Sequence, residues 1–166
     1  MNDAEHTYAP PQSTGATQLP DALIRYLDGT DLLHKTQALR VSTVDAAGWP
    51  HAALLSAGDA VAVSPQQLRF AVFAQSTTAA NLARDARVTV TLSLDRGMCE
   101  LRMHARRLSK ISNDVPLAIF EATVGDVRMH VAPYADVTTG ITFQLHQPDA
   151  VRERWERQLA ALKSAA

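Results

Sequence analysis

The stretch ALRVSTVDAAGWPHAALLS, Ala38 to Ser56, decides the fold together with LRFAVFA (Leu68 to Ala74) and QSTTAANLARD (Gln75 to Asp85) behind it. Ala38–Val44 and His51–Ser56 read as strands, and Asp45-Ala46-Ala47-Gly48 supplies turn residues between them. Leu68–Ala74 predicts a third strand, with Leu68, Phe70 and Val72 alternating against Arg69, Ala71 and Phe73. It runs directly into Ser76-Thr77-Thr78 and a short helical run through Leu82. The first turn of a helix carries free amides at the positive end of its dipole, and nearby hydroxyls add donors, so such a corner can hold an anion. The alternative is that Ser76 or Thr77 only caps the helix.

On the N-terminal side, Pro20 to Leu27 predicts a short helix with Leu23, Ile24 and Leu27 inward, started by Pro20 and stopped by Gly29. Before it, residues 1–18 carry Pro10-Pro11 and Ser13-Thr14-Gly15 and predict a flexible tail, ordered only where another surface holds it. Residues 19–166 then form one domain. On the C-terminal side, Val88–Leu94 and Cys99–Arg107 alternate as strands. The second sets Cys99, Leu101, Met103 and Ala105 against Glu100, Arg102, His104 and Arg106. Asn113 or Asp114, Pro116 and Gly125 bracket an expected helix with Leu117, Phe120 and Val124 inward. Val127, Met129 and Val131 predict a further strand, and Ile141, Phe143 and Leu145 against Thr142, Gln144 and His146 predict another. A final helix over 148–164 places Val151, Trp155, Leu159 and Leu162 on one stripe. Six or seven strands mostly follow strands instead of alternating with helices, and three or four helices are kept to the ends and gaps. That pattern excludes a doubly wound parallel sheet and favours a mainly β fold, an antiparallel barrel with accessory helices.

The chain has 166 residues, 46% of them hydrophobic, which suffices to bury a core in a single soluble domain. A formal charge of -1 gives no electrostatic case for nucleic acid or an anionic membrane. Neither a membrane-length apolar run nor a basic-then-apolar leader is expected. The single cysteine, Cys99, makes no internal disulfide and fits the cytoplasm. On the buried face of its strand it reads as a small filler and not a nucleophile. Phosphate loops of the P-loop or dinucleotide type and a Gly-x-Ser-x-Gly elbow are missing. His104, His130 and His146 fall on polar strand faces without paired spacing or a carboxylate motif, so no metal centre is expected. Arg102, Arg106 and Arg107 read as a solvated or interface edge, with phosphate binding the other reading. Trp155 reads as packing, or as a ring covering a flat ligand or a neighbouring subunit.

The ordered set of strand, glycine-containing turn, strand from Pro50-His51, third strand, Ser76-Thr77-Thr78, Asn81-Leu82 and Arg87-Val88 resembles the pyridoxamine 5′-phosphate oxidase-like FMN-binding split barrels. The likeness covers residues 19–109 well and the remainder loosely. It implies a Greek-key split barrel, a homodimer, and one FMN in each of two clefts at the subunit interface. By that resemblance the backbone of Ala53, Leu54, Leu55 and Ser56 faces the flavin ring, Ala71 and Val72 line the same cleft, and Ser76, Thr77, Thr78 and Asn81 hold the phosphate. The family commonly has cations in that last group and an arginine opening the second strand. Here Thr77 and Thr78 stand in their places, with His51 at the arginine position. Neutral donors bind phosphate about half as strongly as charged ones, so affinity falls unless Arg69, Arg102 or an arginine of a second copy reaches in.

The C-terminal helix VRERWERQLAAL replaces the Arg-x-His segment with which the true oxidase grips pyridoxine phosphate, and Ser56 stands where that enzyme has a lysine. Both departures argue against vitamin B6 oxidation. The expected function is electron transfer between a reduced nicotinamide and a small acceptor, with the flavin carrying the chemistry and no obvious catalytic side chain. Two alternatives stay open. One is the same fold holding deazaflavin F420 or haem, with His51, His104 or His146 as axial ligand. The other is a non-catalytic stress or interaction module that has lost its ligand.

Overall fold

The computed structural model describes Tyr8, residues 10–108 and residues 116–166. A two-residue strand β1 (Gln12–Ser13) precedes helix α1 (Asp21–Tyr26), strands β2 (Leu39–Val44), β3 (Pro50–Leu55), β4 (Ala60–Ser64) and β5 (Gln67–Phe73), helix α2 (Thr77–Arg84), strands β6 (Arg87–Leu94), β7 (Gly97–Arg107) and β8 (Leu117–His130), and helix α3 (Pro148–Ser164). The strands join one antiparallel sheet in the order β3-β2-β6-β7-β8-β5-β4, with β1 added to β8. This is the split half-barrel expected from the run of strands.

Alternation and register explain the core. Across β6 and β7, Val88 faces Met103, Val90 faces Leu101 and Leu92 faces Cys99, and all six are buried. The two-residue turn between these strands, Asp95-Arg96, has positive φ at both positions, which matches the twist of the hairpin. Phe70 and Phe120 are also cross-strand partners, and their rings stack at 5.7 Å. Helix α1 seats Leu23 and Leu27 in the same core.

Three expectations are corrected. The helix expected to end at Gly125 is instead β8, a 14-residue strand. Its residues Ala118 to Ala122 are all buried, with Phe120 packed on Phe70 in the core on one face and Glu121 covered by Arg69 and Arg106 on the other. Burial on both faces erases the period of two, and the spacing of Leu117, Phe120 and Val124 then imitates a helix. Asn113 and Asp114 lie outside the described residues. Gly125 is the extra residue of a bulge, since Arg102 pairs with Asp126 and Met103 with Val124. The strand expected at Val127–Val131 is the continuation of β8 as far as His130.

The strand expected at 141–145 is an irregular segment beside residues 36–38. It makes two backbone bonds, Ala38 N–H to Ile141 O (2.8 Å) and Phe143 N–H to Thr36 O (3.0 Å), and one isolated bridge between Gln37 and Thr142. Its partner is too short to propagate a ladder. Strand β4, in turn, was not expected. Part of the N-terminal stretch is pinned: Gln12 and Ser13 pair with Met129 and Arg128, and Thr14 N–H donates to Val127 O at 2.9 Å. No helix among the described residues is long and apolar enough to cross a membrane.

Candidate functional site

The turn from β5 into α2 forms a corner of neutral donors. Ser76 has extended backbone, and its Oγ accepts from Ala79 N–H at 3.2 Å, which is the capping role. That bond uses a lone pair and leaves the hydroxyl proton free to be donated. Thr77 is exposed at the first helical position, whereas Thr78 is buried. The amides of Thr77 and Thr78 belong to the first turn and have no acceptor within the helix. Asn81 is buried and donates from Nδ2 to Thr43 Oγ1 at 2.9 Å, so its side chain ties α2 to β2. Thr43 is the register partner of His51, and directly opposed residues share a sheet face. His51 therefore stands beside the residue that anchors α2.

The cations that could strengthen this corner are engaged elsewhere. Arg69 bonds Glu121 at 2.8 Å and the carbonyls of Leu162 and Lys163 at 3.0 and 3.3 Å, closing the C-terminal end of α3. Arg102 bonds Glu100 at 2.7 Å. Arg84, in the last turn of α2, donates to Val44 O. The donor set fits an anionic oxygen group, held by neutral hydrogen bonds and a helix terminus and not by an ion pair.

Strand β3 is one end of the sheet, so among the described residues one side of its backbone has no ladder partner. His51, Ala53 and Leu55 share the face of Thr43, Val41 and Leu39, and Leu54 lies on the other face, 54% exposed. Ala71 and Val72 are buried in β5, and the Ala71 amide donates to Asp59 O at 3.0 Å. Beyond the end of β3, Leu54, Leu55 and Ser56 form one wall of a cleft of about 270 Å³. Phe143, Leu145 and Trp155 form the opposite wall.

The cleft floor is built by a polar knot. Asp59 accepts from Ser56 N–H (2.8 Å), Ser56 Oγ (2.7 Å) and Gln158 Nε2 (2.8 Å), and Gln158 also donates to Gly58 O at 3.1 Å. Gly58 is required here. A Cβ at that position would lie 2.0 Å from Trp155 Cγ, so the indole packs directly on the backbone. Trp155 is thereby a packing residue, set edge-on to Phe143 at 6.3 Å. Sequence reasoning missed Asp59, Gln158 and Arg154 at this cleft. Gln158 did leave a signal, as the one polar residue between Trp155 and Leu159 on the apolar stripe of α3.

Away from the corner, Glu121 is buried between Arg69 and Arg106, the second at 2.7 Å. Burial pushes its carboxyl up, and the hydrogen bonds from the two arginines outweigh that and hold it below the usual range. Burial, with Asp95 and Glu100 nearby, pushes the Cys99 thiol up to about 11. Of the three strand-face histidines, His130 bonds Glu100 at 2.6 Å, and His104 and His146 are exposed.

The open edge of β3 and the seven-strand order make this chain an antiparallel split half-barrel. Solved structures agree on the fold. A pyridoxamine 5′-phosphate oxidase candidate from Lactobacillus delbrueckii superposes with a TM-score of 0.55 at 14% identity, covering 70% of this chain and 98% of its own. A conserved hypothetical protein of Mycobacterium tuberculosis gives 0.51 at 14% identity, covering 78% and 98%. No family model matches the chain. Among curated proteins, the uncharacterized protein YclD of Bacillus subtilis (strain 168) is 33% identical over 147 residues, 87% of this chain and 96% of YclD. The chain belongs to the YclD family.

Proposed function

We propose that the chain binds FMN in a groove between two copies of itself and passes electrons between a reduced nicotinamide and a small acceptor, in the cytoplasm. The observation that carries this reading is the corner of free amides and hydroxyls at the start of α2, set behind the sheet that ends in the open edge of β3. FMN supplies the redox chemistry when bound. The hydroxyls of Ser76 and Thr77 and the first-turn amides of α2 bind its phosphate. The backbone of Ala53 to Leu55 orients the ring, and Leu54 and Leu55 exclude water from it, while the Ser56 amide and carbonyl are engaged with Asp59. Leu54 and Phe73 are 54% and 61% exposed, apolar surface that a second copy would cover.

The test is a titration with FMN and riboflavin, followed by flavin fluorescence and melting temperature. FMN is expected to be quenched and to bind more tightly than riboflavin, because only FMN has the phosphate. FMN that stays fully fluorescent at millimolar protein overturns the reading, and F420 and haem titrated beside it report the alternative occupants. Sedimentation at micromolar concentration is expected to give a dimer. A single monomer species removes the shared groove.

A further inference from the structure

We infer that the cleft between the end of β3 and the C-terminal segment binds a small aromatic carboxylate, with its ring between Leu54 and Phe143 and its charge on Arg154. The cleft, about 270 Å³, is nearly twice the cavity of about 150 Å³ that accepts benzene, so one or two fused rings fit. Its walls come from two parts of the chain far apart in sequence, β3 with Ser56 on one side and residues 141–155 on the other, and are mostly apolar.

Two charged side chains line it, and they differ in what they have left to offer. Asp59 already receives three hydrogen bonds, from the amide and hydroxyl of Ser56 and from Gln158, so its carboxylate oxygens are held within the knot. Arg154 is exposed and makes no ion pair among the described residues. Its neighbours one helical turn away are Ala150, Val151, Arg157 and Gln158, none of them acidic. Arg152, two residues earlier on the same helix, does have acids in reach, Asp149 at 3.7 Å and Glu156 at 3.9 Å. A guanidinium that makes no ion pair, at the edge of an apolar slot, selects a ligand that is flat at one end and anionic at the other. Only the further step, that this molecule is the electron acceptor, rests on the flavin reading.

The experiment is calorimetry on the flavin-free chain with naphthalene-2-carboxylate and its neutral isostere naphthalene-2-carboxamide. The carboxylate is expected to bind about fivefold more tightly, because only it adds an ion pair, worth about 1 kcal/mol at an exposed site, to the hydrogen bond that Arg154 can give either compound. Arg154→Gln is expected to remove that preference, weakening the carboxylate more than the carboxamide. Thr142→Trp, an exposed position on the cleft lining, is expected to abolish binding of both. Equal affinities in the parent, a preference that survives Arg154→Gln, binding that survives Thr142→Trp, or no heat with either compound at millimolar concentration overturns the inference. Because no flavin is present, a chain that binds no FMN can still pass this test.

Discussion

Thr77→Lys isolates the phosphate end of the proposed flavin site. Thr77 is exposed at the first position of α2, and no basic residue occupies that turn. In the free protein the substitution places a cation at the positive end of a helix, which costs about 0.5 kcal/mol. In the complex it adds an ion pair with the phosphate to a hydrogen bond that the anion already strengthens, a gain of about 1 kcal/mol near the surface. FMN should therefore bind about fivefold more tightly while the free protein melts slightly lower. The gain should shrink as salt is raised, since the contact is near the surface. Riboflavin, lacking the phosphate, should bind the variant and the parent alike. The assay is a fluorescence titration of both flavins at two ionic strengths, with melting curves of the free proteins. The two readouts move in opposite directions, so a generally damaged fold cannot imitate the result. A lowered melting temperature with unchanged FMN affinity refutes the reasoning, because the helix would then feel the charge and the phosphate would not.

Other positions test the fold around the site. Gly58→Ala forces a methyl into the Trp155 ring, where its Cβ would lie 2.0 Å from Cγ, and should cost about 2 kcal/mol in a denaturant melt. A loss below about 0.5 kcal/mol means that the indole does not sit on that backbone. Glu121→Gln weakens the bonds to Arg69 and Arg106 and should destabilise by about 2 kcal/mol near pH 7. The folded carboxyl is held below its unfolded value of about 4.3, so its contribution is complete above that pH and is lost as pH falls through the lower folded value. The gap between parent and variant should thus begin to narrow as pH falls below about 4.3, and a gap that stays constant down to pH 3 contradicts the pairing. Cys99, buried and with its thiol pushed up to about 11, should resist maleimide at pH 8 in the native protein and react once unfolded. Labelling of the native chain within minutes would place that strand face in solvent.

Much of the barrel was legible because it is written in local terms. The faces of β2, β6 and β7 follow from a period of two, and the buried partners Val90 and Leu101 are those which alternation points inward. Part of the candidate site was legible for the same reason, since Ser76 and Thr77 stand where the alternation of β5 ends and a helical run begins. The segment at Ile141–Leu145 alternates as cleanly as any strand, but no neighbour is long enough to pair with it, so it lines a cleft. Asn81 looked like a ligand residue and is bound instead to Thr43, 38 positions earlier.

What the amino-acid sequence by itself determined is strands β2, β3, β5, β6 and β7, helices α1, α2 and α3, and the lack of a cation in the first turn of α2. Only the tertiary structure decided that β8 is a strand, that β3 is an edge, that Arg69 is consumed by Glu121 and the end of α3, and that a cleft opens beside Arg154. The physical reason is the range of the interactions. Periodicity, capping and turn formation act within a few residues. Which strand lies beside which, and which charges are already satisfied when a ligand arrives, depends on contacts between residues far apart along the chain.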